Sequence, residues 1–216
     1  MQPHATDLFG EPTRDPEQSQ LFTPMWLARR MVTWIRRDAR VLEPACGTGN
    51  LLAALVEAGH RPELLAGIER DARMVDFARE RLPGVDVRCS DFFDLGLADA
   101  PADVVLMNPP YEENAHLRFV LRALRIAPVV IALVPADFEF TQARDAELWA
   151  ARGVVRRRAI LPERVRFAGE GGQNEHVALL IARRMQARRY GEERLVCEET
   201  WRPGDVGPLE HLASVP

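Results

Sequence analysis

Val104-Val105-Leu106-Met107-Asn108-Pro109-Pro110-Tyr111 is an apolar run that stops abruptly at an amide, two prolines and an aromatic ring. The run is short, β-branched and bounded by turn residues, which predicts a buried strand. The prolines end it by fixing φ, and Pro110 also holds Pro109 extended, so Asn108 is presented at the strand's carboxyl end on stiff backbone. In an open α/β sheet that end faces the ligand crevice. The stretch therefore reads as a site; the competing reading is a strand that simply ends in a proline turn.

On both sides of this stretch, strand and helix patterns alternate. Strands are predicted at 41–45, 64–69, 85–89, 103–107 and 129–135, with helices at 49–58, 71–82, 115–126 and 142–151. An earlier helix starts after Gln20-Leu21-Phe22, with Thr23 as N-cap and Pro24 in the first helical position, and continues through Trp26, Leu27, Met31, Trp34 and Ile35. Two more strands, 154–161 and 176–182, follow without a helix between them. They are predicted to pair as an antiparallel C-terminal hairpin at the sheet edge, across a Gly-rich loop at 162–175. The fold class is α/β, a doubly wound and mainly parallel seven-stranded sheet. Residues 1–19, rich in Pro, Asp, Glu and Gln, read as a flexible N-terminal arm, 20–183 as the folded domain and 184–216 as a C-terminal tail.

A length of 216 residues suits one domain, and 47% hydrophobic with 28% charged residues is ordinary for a soluble globular chain. The net charge of -4 does not advertise a polyanion partner. The chain contains no Lys, however, so every basic side chain but His is an Arg, and many lie after Arg144. That is either a compositional bias on solvated faces or a local phosphate-binding face. Cys46, Cys89 and Cys197 are scattered and form no CxxC pair, which argues for free thiols and against structural zinc. No metal site is expected, since the histidines show no HExxH spacing, and no GxSxG occurs. No apolar run approaches membrane-spanning length and no secretory leader is evident, so a cytoplasmic protein with no membrane partner is expected.

Glu43-Pro44-Ala45-Cys46-Gly47-Thr48-Gly49-Asn50 follows the first strand and opens its helix, as a Gly-rich nucleotide loop must. Gly47 and Gly49 allow a tight turn and a close approach to a ligand at the helix N-terminus. The loop has neither GxGxxG spacing nor the Lys-Ser/Thr of a P-loop, so it indicates neither a pyrophosphate clamp nor a kinase. Glu69 ends the second strand, about twenty residues on, where an acid accepts ribose hydroxyls. Ser90, Asp91 and Phe92 end the third, with an acceptor beside a ring. Together they describe an adenosine pocket, although each alone could be a surface acid or a core ring.

With these residues the chain resembles the class I S-adenosylmethionine-dependent methyltransferases, whose fold is Rossmann-like, and within them the N6-adenine amino-methyltransferases carrying Asn-Pro-Pro-Tyr. The resemblance runs from about Gln20 to Ala182. It implies S-adenosyl-L-methionine as cofactor, with Phe22, Thr23 and Pro24 at its methionine end. It also implies Glu43, Ala45, Gly47 and Gly49 in the loop, Glu69 on the ribose, Asp91 and Phe92 on the adenine, and Asn108 beside the methyl group. Ala45 departs from the Gly of many relatives.

Asn108, Pro109, Pro110 and Tyr111 are the predicted catalytic set. An exocyclic amine is a poor nucleophile because its lone pair is delocalised into the ring. The Asn108 side-chain carbonyl and the Pro109 backbone carbonyl can each accept one N–H, while Tyr111 offers a face for the planar target. Glu112 and Glu113 read as a helix-start pair rather than an acid/base couple. Arg164-Val165-Arg166-Phe167 and the Gly-rich run after it resemble the loop that places a ring against an extruded base. Phe167, Arg164 and Arg166 are therefore candidate substrate contacts, with Arg156, Arg157 and Arg158 nearby to hold phosphates; Phe167 is equally readable as a core ring.

The expected partner is nucleic acid, DNA before RNA. There is no insertion between the loop and Asn108 and only a short tail after Ala182, so a separate target-recognition domain is not expected, and a partner chain could supply specificity. The alternatives are an RNA adenine-N6 methyltransferase, a protein glutamine-N5 methyltransferase, whose usual helical substrate domain is not evident, or a non-catalytic methyltransferase-fold subunit of a complex.

Overall fold

The computed structural model describes residues 22–96, 101–138, 147–148, 151, 153–161, 176–183 and 197–200. The helices are α1 (Met25–Val32), α2 (Asn50–Glu57), α3 (Ala72–Arg81) and α4 (Ala115–Ile126). The strands are β1 (Val41–Pro44), β2 (Leu65–Glu69), β3 (Asp86–Cys89), β4 (Val104–Met107), β5 (Val129–Pro135), β6 (Gly153–Ile160), β7 (His176–Arg183) and β8 (Cys197–Thr200). They form one sheet in the order β3-β2-β1-β4-β5-β7-β6-β8. From β3 to β5 every pairing is parallel. The chain leaves β1 toward β2 and returns to β1's other side as β4, which places a topological switch between the carboxyl ends of β1 and β4.

The central strands β4 and β5 read as continuous apolar runs because both faces are covered, and β1 beside them is buried along its whole length, whereas the edge strand β3 is partly exposed. Alternate residues go to opposite layers. Val104, Leu106, Ile131 and Leu133 pack with Leu27, Met31, Leu51 and Leu55 of α1 and α2. Val105, Met107, Val130 and Val134 pack with Phe119 and Val120 of α4. At the other end of the strands, the Arg40 guanidinium and backbone N–H donate to the Asp103 carboxylate at 3.0 and 2.8 Å, aligning Val41 with Val104.

Two expectations change, and the order of the hairpin strands, which the sequence left open, is set by the structure. The expected hairpin forms and is antiparallel, with β7 against β5 and β6 outside it. The more apolar strand, His-Val-Ala-Leu-Leu-Ile-Ala-Arg, takes the interior position, and Gly-Val-Val-Arg-Arg-Arg-Ala-Ile lies outside it. The sheet also has eight strands rather than seven. β8, within the expected tail, pairs in parallel with β6. Its sequence, Cys-Glu-Glu-Thr, has no strand periodicity, so the pairing depends on a neighbouring edge. Finally, Pro24 rather than Thr23 is the N-cap of α1, its carbonyl accepting the Leu27 and Ala28 N–H groups at 3.0 and 2.9 Å. The arm, most of the predicted helix 142–151 and the loop 162–175 lie outside the described residues. No described helix is long and apolar enough to cross a membrane.

Candidate active site

The strand ends and the loops after them enclose a cavity of about 350 Å³, a size typical of small-molecule pockets. One end is built on the loop after β1. Its backbone takes left-handed φ at Ala45 (57°), Gly47 (53°) and Gly49 (80°), which lifts Ala45 out of the predicted strand and starts α2 at Asn50. The Phe22 ring lies across this loop, 3.2 Å from where a Cβ on Gly47 would stand. Glu43 is buried at the end of β1, and its carboxylate accepts the Leu52 N–H at 3.2 Å, satisfying an amide in the first turn of α2. Burial raises its pKa well above the ordinary carboxylate value, against that hydrogen bond, and the neighbouring Glu69 charge adds to the rise.

Glu69 holds the loops together. One carboxylate oxygen accepts from Gly47 N at 2.9 Å, and the other accepts from Arg70 N and Asp71 N at 2.8 and 2.9 Å. Asp91 caps its own turn by accepting the Phe93 N–H at 2.7 Å. Phe92 stacks on Phe119 at 5.2 Å, and Arg118 sits 4.9 Å over the Phe93 ring. Arg122 of α4 fixes this corner by donating to the Phe92 carbonyl at 2.9 Å and to the Leu95 carbonyl.

At the other lip, β4 delivers Asn108. Tyr111 turns its hydroxyl inward, donating to Asn108 Oδ1 at 2.7 Å and lying 3.3 Å from the Leu133 carbonyl. Burial pushes the Tyr111 phenol up, so it stays a donor at any working pH. Its ring lies 6.0 Å from that of buried His116. Glu112 and Glu113 belong to the 3-10 turn Glu112–Asn114 that leads into α4, consistent with a helix-start pair.

Of the predicted site residues, Phe22, Thr23, Glu43, Ala45, Gly47, Glu69, Asp91, Phe92 and Asn108 to Tyr111 line this single cavity. Pro24 and Gly49 do not. Pro24 starts α1, and Gly49 packs against α3, where a Cβ would come within 2.6 Å of Leu82 Cδ1. Arg164, Arg166 and Phe167 lie outside the described residues, as do the side chains of Arg156 and Arg157. The sequence reading left Thr48 and Asn50 without a role, although both stand in the quoted loop and both line the cavity.

A profile for a methyltransferase domain matches residues 41–126. A proposed S-adenosylmethionine-dependent methyltransferase of Mycolicibacterium smegmatis is 28% identical over 155 residues, 68% of this chain and 58% of that protein. A tRNA (guanine(10)-N2)-dimethyltransferase of Methanothermobacter thermautotrophicus is 38% identical over 96 residues, 41% of this chain and 27% of that protein. The matched region thus spans little more than half of the first relative and about a quarter of the second. Among solved structures, a proposed RNA methyltransferase of Pyrococcus horikoshii superposes with a TM-score of 0.65 at 21% identity, covering 82% of this chain and 90% of the other. The modification subunit of a proposed type I restriction enzyme from Vibrio vulnificus gives 0.61 at 19%, covering 76% and 44%.

The fold is that of the class I methyltransferases, and the cofactor which that fold family implies is S-adenosyl-L-methionine. The cavity fits it. The Thr48 hydroxyl is buried in the wall with no hydrogen-bond partner among the described residues, and the acids Glu43, Glu69 and Asp91 suit the cationic, hydroxyl and amine groups such a molecule carries.

Proposed function

We propose that this chain, a class I S-adenosylmethionine-dependent methyltransferase by fold and cofactor, methylates an exocyclic base amine, adenine N6 in DNA first. The observation that carries the reading is that Asn108, Pro109, Pro110 and Tyr111 line the same cavity as Glu43, Glu69, Asp91 and Phe92. The target amine and the methyl donor can therefore share one enclosure. Glu69 would hold the ribose, Asp91 and Phe92 the adenine, and Phe22 and Thr23 the methionine end.

When bound, the cofactor would supply an electrophilic methyl group on a sulfonium, the sulfur keeping the electron pair of the broken S–C bond as a neutral thioether. The protein's part is to aim the amine and to make its lone pair available. The Tyr111 hydroxyl donates to the Asn108 carboxamide oxygen and so orients it; a carbonyl oxygen accepts up to two hydrogen bonds, and this one would take one amine N–H. The Pro109 carbonyl accepts the other. Together they localise the nitrogen lone pair and stabilise the positive charge that builds as the N–C bond forms. The amine proton then leaves to solvent, so no strong base is needed. In this arrangement Tyr111 orients Asn108 through its hydroxyl while its ring remains the surface for a planar target.

Phe-Thr-Pro ahead of the loop and Asn-Pro-Pro-Tyr favour adenine in DNA, with Arg164, Arg166 and Phe167 as substrate contacts and a partner chain as a source of sequence choice. RNA is the second reading, favoured by the tRNA-modifying relative, whose name gives guanine N2, also an exocyclic base amine, as its target. Protein glutamine and a non-catalytic role stand behind it.

The test is transfer of radiolabelled methyl to duplex DNA, single-stranded DNA, total RNA and protein extract. Label in DNA adenine supports the proposal. Label in RNA or protein moves the substrate class, and cofactor binding without transfer supports the non-catalytic reading. Asn108→Ala is expected to abolish transfer and leave the cofactor Kd within about twofold, the loss being confined to the transition state. Retained turnover would remove Asn108 from the mechanism.

A further inference from the structure

The Phe22–Thr23 segment crosses the glycine loop and walls one end of the cavity, with both residues buried. Much of what holds it there comes from outside the cavity. Asn50 Nδ2 donates to the Thr23 carbonyl at 2.9 Å. Arg81, in the last turn of α3, donates through Nη1 to Asn50 Oδ1 at 2.5 Å and reaches the Thr48 carbonyl at 3.5 Å. Its Nη2 lies 3.7 Å from Met25 Sδ, at the start of α1.

A primary amide has a donor end and an acceptor end and can turn over, exchanging them. Only one orientation presents N–H to the Thr23 carbonyl; the other sets two oxygens against each other. Arg81 has donors and no acceptor, so its hydrogen bond to Oδ1 selects the orientation that ties down Thr23. The same guanidinium reaches the loop at Thr48 and α1 at Met25, gathering the three pieces of backbone that close this end.

We infer that Arg81 is a positioning residue for cofactor capture: acting through Asn50, it locks the Phe22–Thr23 segment over the methionine half of the bound cofactor. This rests on the assignment of that segment to the methionine end and on Glu69 at the ribose. It is independent of which molecule accepts the methyl group.

The experiment is calorimetric titration of the full chain with two probes, S-adenosylmethionine and adenosine, which lacks the methionine tail. Arg81→Met keeps the apolar stem but cannot orient Asn50; loss of one such hydrogen bond is expected to raise the S-adenosylmethionine Kd about tenfold. The adenosine Kd should stay within about twofold, and Arg81→Lys should fall between wild type and Arg81→Met. A merely structural role would lower the melting temperature and weaken both probes equally, or leave both affinities intact, and either result overturns the inference. Glu69→Gln in the same assay checks the orientation separately. It should weaken both probes; if adenosine binding is spared, the assignment of the two ends fails, and the inference with it.

Discussion

At the scale of single residues, the site departs from local preference where it must face a ligand. Ala45 holds φ at 57°, a left-handed backbone that an L-side chain adopts at an energetic cost. Position 45 is also where the sequence departs from its resemblance, by carrying Ala where many relatives have Gly, and the positive φ supplies a physical reason for glycine there. Ala45→Gly should therefore stabilise the ligand-free protein by about 1 kcal/mol, net of the extra freedom glycine gives the unfolded chain, and raise its melting temperature by about 2–4 °C. A fall would show that the methyl group's packing outweighs the strain. Asn108 was legible from its prolines, because two consecutive prolines after an apolar run constrain backbone wherever they occur. The inward turn of the Tyr111 hydroxyl was not legible. It depends on the Leu133 carbonyl, which β5 brings within reach only when the sheet has formed.

At the scale of elements, the alternation of strands and helices was readable because each had its own signal: apolar runs for β1, β4 and β5, and amphipathic spacing with a side-chain cap at Asp71, which accepts the Arg73 N–H at 2.9 Å, for α3. Gly49, read as a ligand-contacting glycine, also carries a packing constraint. It combines a φ of 80° with the close approach of Leu82. Gly49→Ala should cost about 2 kcal/mol in urea unfolding. Adding Leu82→Ala should recover coupling energy from the clash while leaving the backbone component, so a fully additive double mutant would refute the contact. The order of β7 and β6, and the presence of β8, were not readable. A hairpin's own pattern fixes which residues pair but not which of its strands meets the rest of the sheet.

At the scale of the whole molecule, burial of Glu43 links the fold to pH. Its folded pKa is raised above the ordinary 4.5, so the folded state holds that proton more tightly than the unfolded chain does. The stability associated with that proton is fully present below about pH 4.5 and is lost as pH rises through the folded pKa. Glu43→Gln, which can still accept the Leu52 N–H, should melt higher than wild type at pH 7 without cofactor and equally at pH 4. A difference that persists at pH 4 would mean that shape rather than charge is responsible. The sequence by itself determined the α/β class, the strand ends that carry Glu43, Glu69, Asp91 and Asn108, and the kind of ligand these groups suit. These follow from local chemistry: apolar runs, turn residues and acids at a fixed spacing. Only the tertiary structure decided that these ends share one cavity, that Pro24 and Gly49 stand behind it, and that Arg81 reaches Asn50 across 31 positions of chain. Such contacts depend on which helix packs beside which loop, and that is set by burial of the whole sheet on both faces rather than by any one stretch.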